Sequence, residues 1–533
     1  MGLLLAAVTA MVGSGWLFGP LYAAKLAGSS SIFAWMLGGV FMLILAMPFA
    51  ELGSMFPLNG GLVRFMEFSH GPLVAFTMGL SAWYAAAIVS PIETLALIQY
   101  SSSYIPHLMH TVAGNPILTG TGVLVAISLM AVLCAFNTLS ARTVTKTNYF
   151  IVAFKILIPI TTVVALMLTA FHPHNFAVPS GHFETSYFKN MLSAIPNAGI
   201  VFSFLGFTTA VQLAGESKNP KRAIFWSLLG SLLICTVLYT MIQTAFIGAV
   251  NPHQLAYGWN HLTFAAHNGP FAGIAASIGL VWLVYILYAD AIISPLGTAV
   301  IYTASTARVN YALSSSGFMP KSMQKLNRKG VPIVALLVNF VFGSLLFLPF
   351  PGWSSMVGFL VSGFVFTYGV GPLALMVLRK KLPNQDRPFR LPFASIFSVL
   401  SFYIGNLVLF WTGWDTLSKL LVFLVAGLII LGAYKLVKKD NHLKSMNAKA
   451  GLWLIPYLLG LAVISYLGSF GGGIGVLPFG IDFLVIFFFS AGIYACAYYC
   501  AFAKGTVDTR QFIPNQMIIE PSAESLSPHS TQI

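Results

Sequence analysis

The chain is 533 residues long, 57% hydrophobic and only 8% charged, with a mean hydropathy of +0.84. A soluble domain carries about 25% charged residues, so this composition excludes a water-covered globule and leaves lipid as the solvent. The net charge of +14 would suit a nucleic-acid partner, a reading that the placement of the basic residues removes.

Fourteen apolar stretches are predicted as spanning helices, beginning near residues 2, 32, 73, 119, 147, 192, 223, 271, 331, 354, 394, 416, 452 and 477. Runs such as Gly2–Ala24 and Ile224–Val250 cross about 30 Å of hydrocarbon as helix and are too long for barrel strands. With a cytoplasmic N-terminus the loops alternate in charge. The inner loops hold Arg64, Arg142, Lys146, Lys218, Lys221 and Arg222, then basic clusters within 308–329, 379–390 and 435–449. The outer loops hold little beyond Lys25, Lys189 and Lys419. This is the positive-inside distribution: the basic surplus orients the chain and places both termini in the cytoplasm. The apolar start lacks the basic region of a signal peptide, and a short preceding tail is expected. Cys134, Cys235, Cys496 and Cys500 all fall within spans, giving neither a disulfide framework nor a metal spacing.

Spans 1 and 6 are interrupted, by Gly13-Ser14-Gly15 and within the stretch Ser203-Phe204-Leu205-Gly206-Phe207-Thr208-Thr209. Taken singly, such glycines serve helix packing as readily as unwinding. Paired interruptions at matching positions of two halves point to an inverted-repeat transporter with its site at the midplane. The fold class expected is therefore an all-α integral membrane protein. Residues 1–380 form a 5+5 inverted-repeat core, with repeats near 1–171 and 190–380. Residues 381–503 add peripheral helices 11–14. Residues 504–533, polar and carrying Pro514, Pro521 and Pro528, are expected to be a disordered cytoplasmic tail.

Several motifs in order carry a resemblance. Met11-Val12-Gly13-Ser14-Gly15-Trp16-Leu17-Phe18-Gly19-Pro20 is similar to the broken first helix of the amino acid–polyamine–organocation (APC) superfamily. Pro48-Phe49-Ala50-Glu51-Leu52 with Asn59-Gly60-Gly61 resembles its helix 2–3 junction. Phe202 to Gly206 and Gly215 through Arg222 resemble helix 6 and its basic exit. Ser316-Gly317-Phe318-Met319-Pro320 with Lys329-Gly330-Val331-Pro332 resembles the loop after helix 8. Arg387-Pro388-Phe389-Arg390-Leu391-Pro392 resembles the loop after helix 10. The Gly-Ser-Gly-Trp-Leu-Phe variant looks most like aspartate:proton symporter-type members.

An amino acid brings a carboxylate and an ammonium that must lose water at the membrane centre, so protein groups must replace that water. A helix broken at Gly13, Ser14 and Gly15 exposes N–H groups at a half-helix N-terminus, suited to a carboxylate. The break in helix 6 exposes carbonyls near Phe202, Ser203 and Leu205, with Gly206 alongside, suited to the ammonium. The resemblance assigns these roles too, and makes Phe202 the aromatic lid; a lipid-facing phenylalanine is the alternative. Thr208 falls where members handling arginine carry an acid, which weakens the case for cationic substrates. Lys155 in span 5 is the proton-coupling candidate. The resemblance places a lysine there where sodium-coupled relatives bind a cation, while the residues alone leave snorkelling to the interface open. Asp290 in span 8 is its expected partner, paired or facing water. Glu93 in span 3 is either an acidic group of the pathway or a structural carboxylate between helices.

The expected function is secondary active import of amino acids across the cytoplasmic membrane by proton symport. The alternatives are exchange on the same fold or a non-transporting sensor. No HExxH, no GxSxG in suitable context and no nucleotide-binding loop occurs, so neither an enzyme nor a primary pump is expected. The expected partners are the amino acid, protons and lipid, with no cofactor, no metal and no nucleic acid. The oligomeric state is not legible. Eight of 11 histidines, His107, His110, His172, His174, His182, His253, His261 and His267, fall in outer loops, where mild acid would charge them.

Overall fold

The computed structural model describes residues 2–56, 61–112, 115–138, 141–177, 185–208, 211, 220–264, 269–438 and 447–504. A backbone in lipid must satisfy its own polar groups, and helix does so within each segment. The chain is helical accordingly.

The first helix is broken: α1 (Gly2–Met11) ends and α2 (Gly15–Ala27) begins across residues 12–14. Next come α3 (Ser31–Met55), the short α4 (Gly61–His70) and the long α5 (Pro72–Ser101). A two-stranded antiparallel hairpin, β1 (Met109–Val112) and β2 (Asn115–Leu118), leads to α6 (Gly120–Asn137) and α7 (Ala141–Thr169). A bent pair, α8 (Thr185–Asn197) and α9 (Ile200–Phe204), continues as a 3-10 turn over Leu205–Thr208. Then follow α10 (Pro220–Ala249), α11 (Pro270–Ser277), α12 (Val281–Ser315), α13 (Ile333–Leu345), α14 (Trp353–Gly369) and α15 (Gly371–Lys381). The last four are α16 (Ala394–Trp411), α17 (Trp414–Lys438), α18 (Leu454–Leu467) and α19 (Ile481–Cys500).

Ten helical stretches among the described residues are long and apolar enough to cross a membrane, or eleven with the bent pair α8–α9. Fourteen is reached only by adding the shorter apolar helices Phe154–Thr169 and Ile333–Leu345 and by dividing Gly15–Met55 in two. The expected tail, His182, His267, Asn59, Gly60 and the motif from Gly215 to Asn219 lie outside the described residues.

The most extensive packings join α5 to α12 and α3 to α10, while α1 lies against the 3-10 turn after α9. The interior is aromatic: Trp16, Trp35, Trp353, Trp411 and Trp453 are fully buried. At the end of the bundle that carries α15, the two motifs around Glu51 and Arg387 meet. Buried Glu51 accepts from Arg379 through both oxygens and from the Leu391 backbone N–H at 2.7 Å, with Arg387 Nε 3.5 Å away. His70 is buried against Trp453, with Nδ1 2.9 Å from Ser69 Oγ and Nε2 3.3 Å from the Ala497 carbonyl. Burial first, and the nearby Lys381 ammonium second, push its pKa down to about 3, so it stays neutral and ties α4 to α19.

Candidate substrate and proton site

The break in the first helix follows from local chemistry. Gly13 has no side chain, and an added Cβ would lie 2.5 Å from Glu93 Oε1 and 3.1 Å from Thr298 Oγ1. Only glycine lets α5 and α12 approach the chain this closely. Gly206 plays the matching part in the sixth helix, where a Cβ would strike the Ala10 and Met11 backbone. Gly15 faces Ser203 and Phe202. The two interrupted segments therefore touch.

The sixth helix departs from expectation in detail. Its principal bend, 44°, lies at Ala198-Gly199, ahead of the expected stretch. Gly199 adopts φ +89°, a conformation that L side chains rarely take. The helix then tightens to 3-10 at Leu205.

The polar groups at the break are already partnered. Ser14 N–H donates to Glu93 Oε2 at 3.0 Å and Oε1 at 3.3 Å. Ser14 Oγ accepts from Trp353 Nε1 at 3.0 Å. The Tyr239 hydroxyl sits between the Met11 and Ser203 carbonyls, at 2.9 and 3.2 Å. Ser294 Oγ donates to the Val12 carbonyl at 3.3 Å. Tyr368 OH donates to the Leu205 carbonyl at 3.2 Å, with Thr208 Oγ1 3.2 Å from the same hydroxyl. Of the carbonyls expected to receive an ammonium, those of Ser203 and Leu205 are thus held by tyrosines and that of Phe202 by the Leu205 N–H, while the N–H expected to receive a carboxylate is held by Glu93.

Phe202 is 8% exposed and meets the Trp353 ring edge to face at 5.8 Å. Trp353 in turn stacks on Tyr22 at 5.4 Å. This position excludes the lipid-facing alternative. Phe202 and Trp353 thus pack together beside the break at Gly15.

Lys155 is fully buried and does not snorkel. Its Nζ donates to the Thr9 carbonyl at 3.1 Å and to Thr298 Oγ1 at 2.6 Å, joining α7 to α1 and α12. The expected pairing with Asp290 is not formed. Asp290 is fully buried, with neither carboxylate oxygen hydrogen-bonded. It lies within electrostatic reach of Lys155 and close to the Trp16 indole N–H, an approach too loose for an ordinary hydrogen bond. Glu93, 1% exposed, is the carboxylate at the break, and it too interacts electrostatically with Lys155. The structure therefore assembles Gly13, Ser14, Glu93, Lys155 and Thr298 into one cluster, with Asp290 as a neighbour. Among the described residues no group of three or more His, Cys, Asp or Glu side chains fits a metal ion.

Trp353, Tyr239, Tyr368, Ser294 and Thr298 were not singled out from sequence. Ser294 and Thr298 lie four and eight residues beyond Asp290, one helical row, and that spacing is the signal that would have found them.

A many-helix membrane bundle with a broken first helix, buried carboxylates and a buried lysine has the makings of a transporter. The chain belongs to the amino acid permease family, whose pattern it matches over residues 1–415. It is 37% identical to the glutamate/serine transporter AimA of Bacillus subtilis over 505 residues, covering 93% of this chain and 92% of that protein. It is 33% identical to the aspartate-proton symporter of Bacillus subtilis, over 95% of this chain and 96% of the relative. The serine/threonine exchanger SteT of Bacillus subtilis is 25% identical, over 80% of this chain and 94% of its own length.

Proposed function

We propose that this chain imports small polar and acidic amino acids across the cytoplasmic membrane by proton symport, on fourteen spans with a 5+5 inverted-repeat core and both termini cytoplasmic. The packing of α3 on α10 and of α5 on α12 supports the repeat, since each pair joins helices five apart in the proposed span order. The relatives named for glutamate, serine and aspartate support the substrate class, as does neutral Thr208 on the sixth helix.

The observation that carries the mechanism is Glu93 on Ser14 N–H. A substrate carboxylate and an ionised Glu93 compete for the same backbone donor. Protonation of Glu93 removes its negative charge and weakens that hydrogen bond, which frees the donor for the substrate. Binding of the anionic carboxylate and uptake of the proton are then linked, because each favours the state in which Glu93 has left Ser14. Lys155 holds α1, α7 and α12 together while charged, so its charge state bears on how the bundle opens.

Purified protein in proteoliposomes tests this with labelled glutamate, aspartate and serine. Symport predicts accumulation above equilibrium only under an inward proton gradient, with matching acidification read by an internal pH dye. Glu93→Gln mimics the protonated acid; it should lose gradient-driven accumulation while retaining counterflow of labelled substrate. Uptake that needs preloaded amino acid and ignores the gradient would instead establish exchange, the activity of the SteT relative.

A further inference from the structure

One row of polar residues on α12 runs through the substrate site and well beyond it. Asp290, Ser294, Thr298, Tyr302, Thr306 and Asn310 recur at intervals of four. All but Tyr302 are buried. Residues spaced by four form a ridge that winds slowly round a helix. This one starts against α2 and α7 and ends against α13. From Asp290 to Asn310 it rises about 30 Å, the thickness of the hydrocarbon core. A buried polar row of that length is costly in a membrane unless each group has a partner.

The partners are distributed unevenly. In the middle the row is saturated: Ser294 and Thr298 bond the broken helix and Lys155. Below Glu93 by one turn, Ser90 Oγ is 2.8 Å from Thr303 Oγ1. At the two ends, buried polar atoms lack partners. At one end these are Tyr100 OH and the Asp290 carboxylate, which Trp16 Nε1 approaches too loosely for an ordinary hydrogen bond. Asp290 there faces Lys155 from α7, Glu93 and Tyr100 from α5 and Trp16 from α2.

At the other end the geometry is fixed by a tryptophan. Trp83 Nε1 can only donate, and it lies 2.9 Å from Asn339 Oδ1. Asn310 Nδ2 donates to that same oxygen at 2.8 Å. Asn339 Nδ2 and Asn310 Oδ1 are left over, a buried donor and a buried acceptor without partners. Asn339 lines a narrow crevice with Ser90, Cys134, Thr303 and Thr306 among its other walls, with room for about one water. Cys134 is the titratable group among these lining residues. Back-bonding of threonines to their own helix accounts for Thr303 and Thr306, but not for the stranded amide atoms. A water in this crevice can accept from Asn339 Nδ2.

We propose that the coupled proton has its own route along α12, separate from the substrate path. It is taken up at Asp290, passed to the Glu93–Lys155 cluster, and released towards the cytoplasm through water held in the Ser90–Thr306–Asn339 crevice. This rests on the symport reading above. No bond other than O–H and N–H changes: each group accepts a proton on one side and yields one on the other. The row supplies polar atoms that hold water in line, and only Asp290, Glu93 and Lys155 carry the charge.

The test is proteoliposomes with an internal pH dye and labelled glutamate, comparing proton uptake with counterflow. Asn339→Leu fills the crevice with hydrocarbon. It should lower substrate-driven proton uptake by about tenfold or more while leaving counterflow at the wild-type rate. Thr306→Val, nearly isosteric, guards against a folding defect and should slow proton uptake in the same sense. Wild-type proton uptake by Thr306→Val, or by a folded Asn339→Leu, would overturn the route. So would an equal loss of both activities in Thr306→Val. A wild-type protein that counterflows glutamate but takes up no protons would overturn the symport reading itself, and the route with it. An experimental map should show water on Asn339 Nδ2 in the crevice; a dry crevice would refute the proposal independently.

Discussion

Lys155 shows how much a single buried group is constrained. Its ammonium has two hydrogen bonds, to the Thr9 carbonyl and Thr298 Oγ1, on two different helices. A compact, rotatable point charge fits this pair, whereas a planar guanidinium is larger and stays protonated. Lys155→Arg should therefore lose proton-driven accumulation of glutamate in proteoliposomes, by about a hundredfold or more, the scale of a lost proton-transfer group. Lys155→Ala should lose it too. Full accumulation by the arginine variant would show that only a positive charge is needed there. At this same scale the sequence was informative about which residues matter and silent about their pairings. Glu93 and Asp290 both read as intramembrane acids, but only the fold put Glu93 on Ser14 and left Asp290 without a hydrogen bond.

Among the elements, the junction of α3, α15 and the 382–393 loop is held by one carboxylate. Glu51 is fully buried and receives Arg379 through both oxygens as well as the Leu391 N–H. Removing one partner of a buried pair strands the other, at a cost of about 3–5 kcal/mol. Glu51→Gln should accordingly lower the thermal inactivation temperature of the detergent-solubilised protein. Arg379→Gln should do so by less, because the Arg379 side chain is partly exposed and Arg387 remains near Glu51. Equal melting of wild type and Glu51→Gln would mean that the pair adds nothing to stability. The motifs at Glu51 and Arg387 were both visible in sequence, 336 positions apart, yet nothing in their local patterns says that they touch. The break at Gly13–Gly15 was legible because a second glycine-containing interruption recurs five spans on, at the matching position of the other half. The bend at Gly199 was not, since a lone glycine after a proline in an apolar run reads equally well as packing.

Over the whole molecule, the charge of the loops sets orientation. Reporter fusions after residues 325, 385 and 445 should report cytoplasm, and fusions after 180 and 260 the outside. A reversed pattern would invert the assignment of Asp290 to proton uptake and of Asn339 to release. What the sequence by itself determined is the membrane class, the approximate helix positions, the paired interruptions and the amino acid permease resemblance. These depend on composition and short-range periodicity, which lipid and the backbone impose segment by segment. What only the tertiary structure decided is who satisfies whom: Glu93 on the Ser14 N–H, tyrosines on the broken-helix carbonyls, Trp353 over Ser14, and stranded amides at Asn310 and Asn339. Those pairings join helices far apart in sequence. In a medium without water, each buried polar atom must find its partner across that distance, and only the packing of the bundle fixes which one it finds.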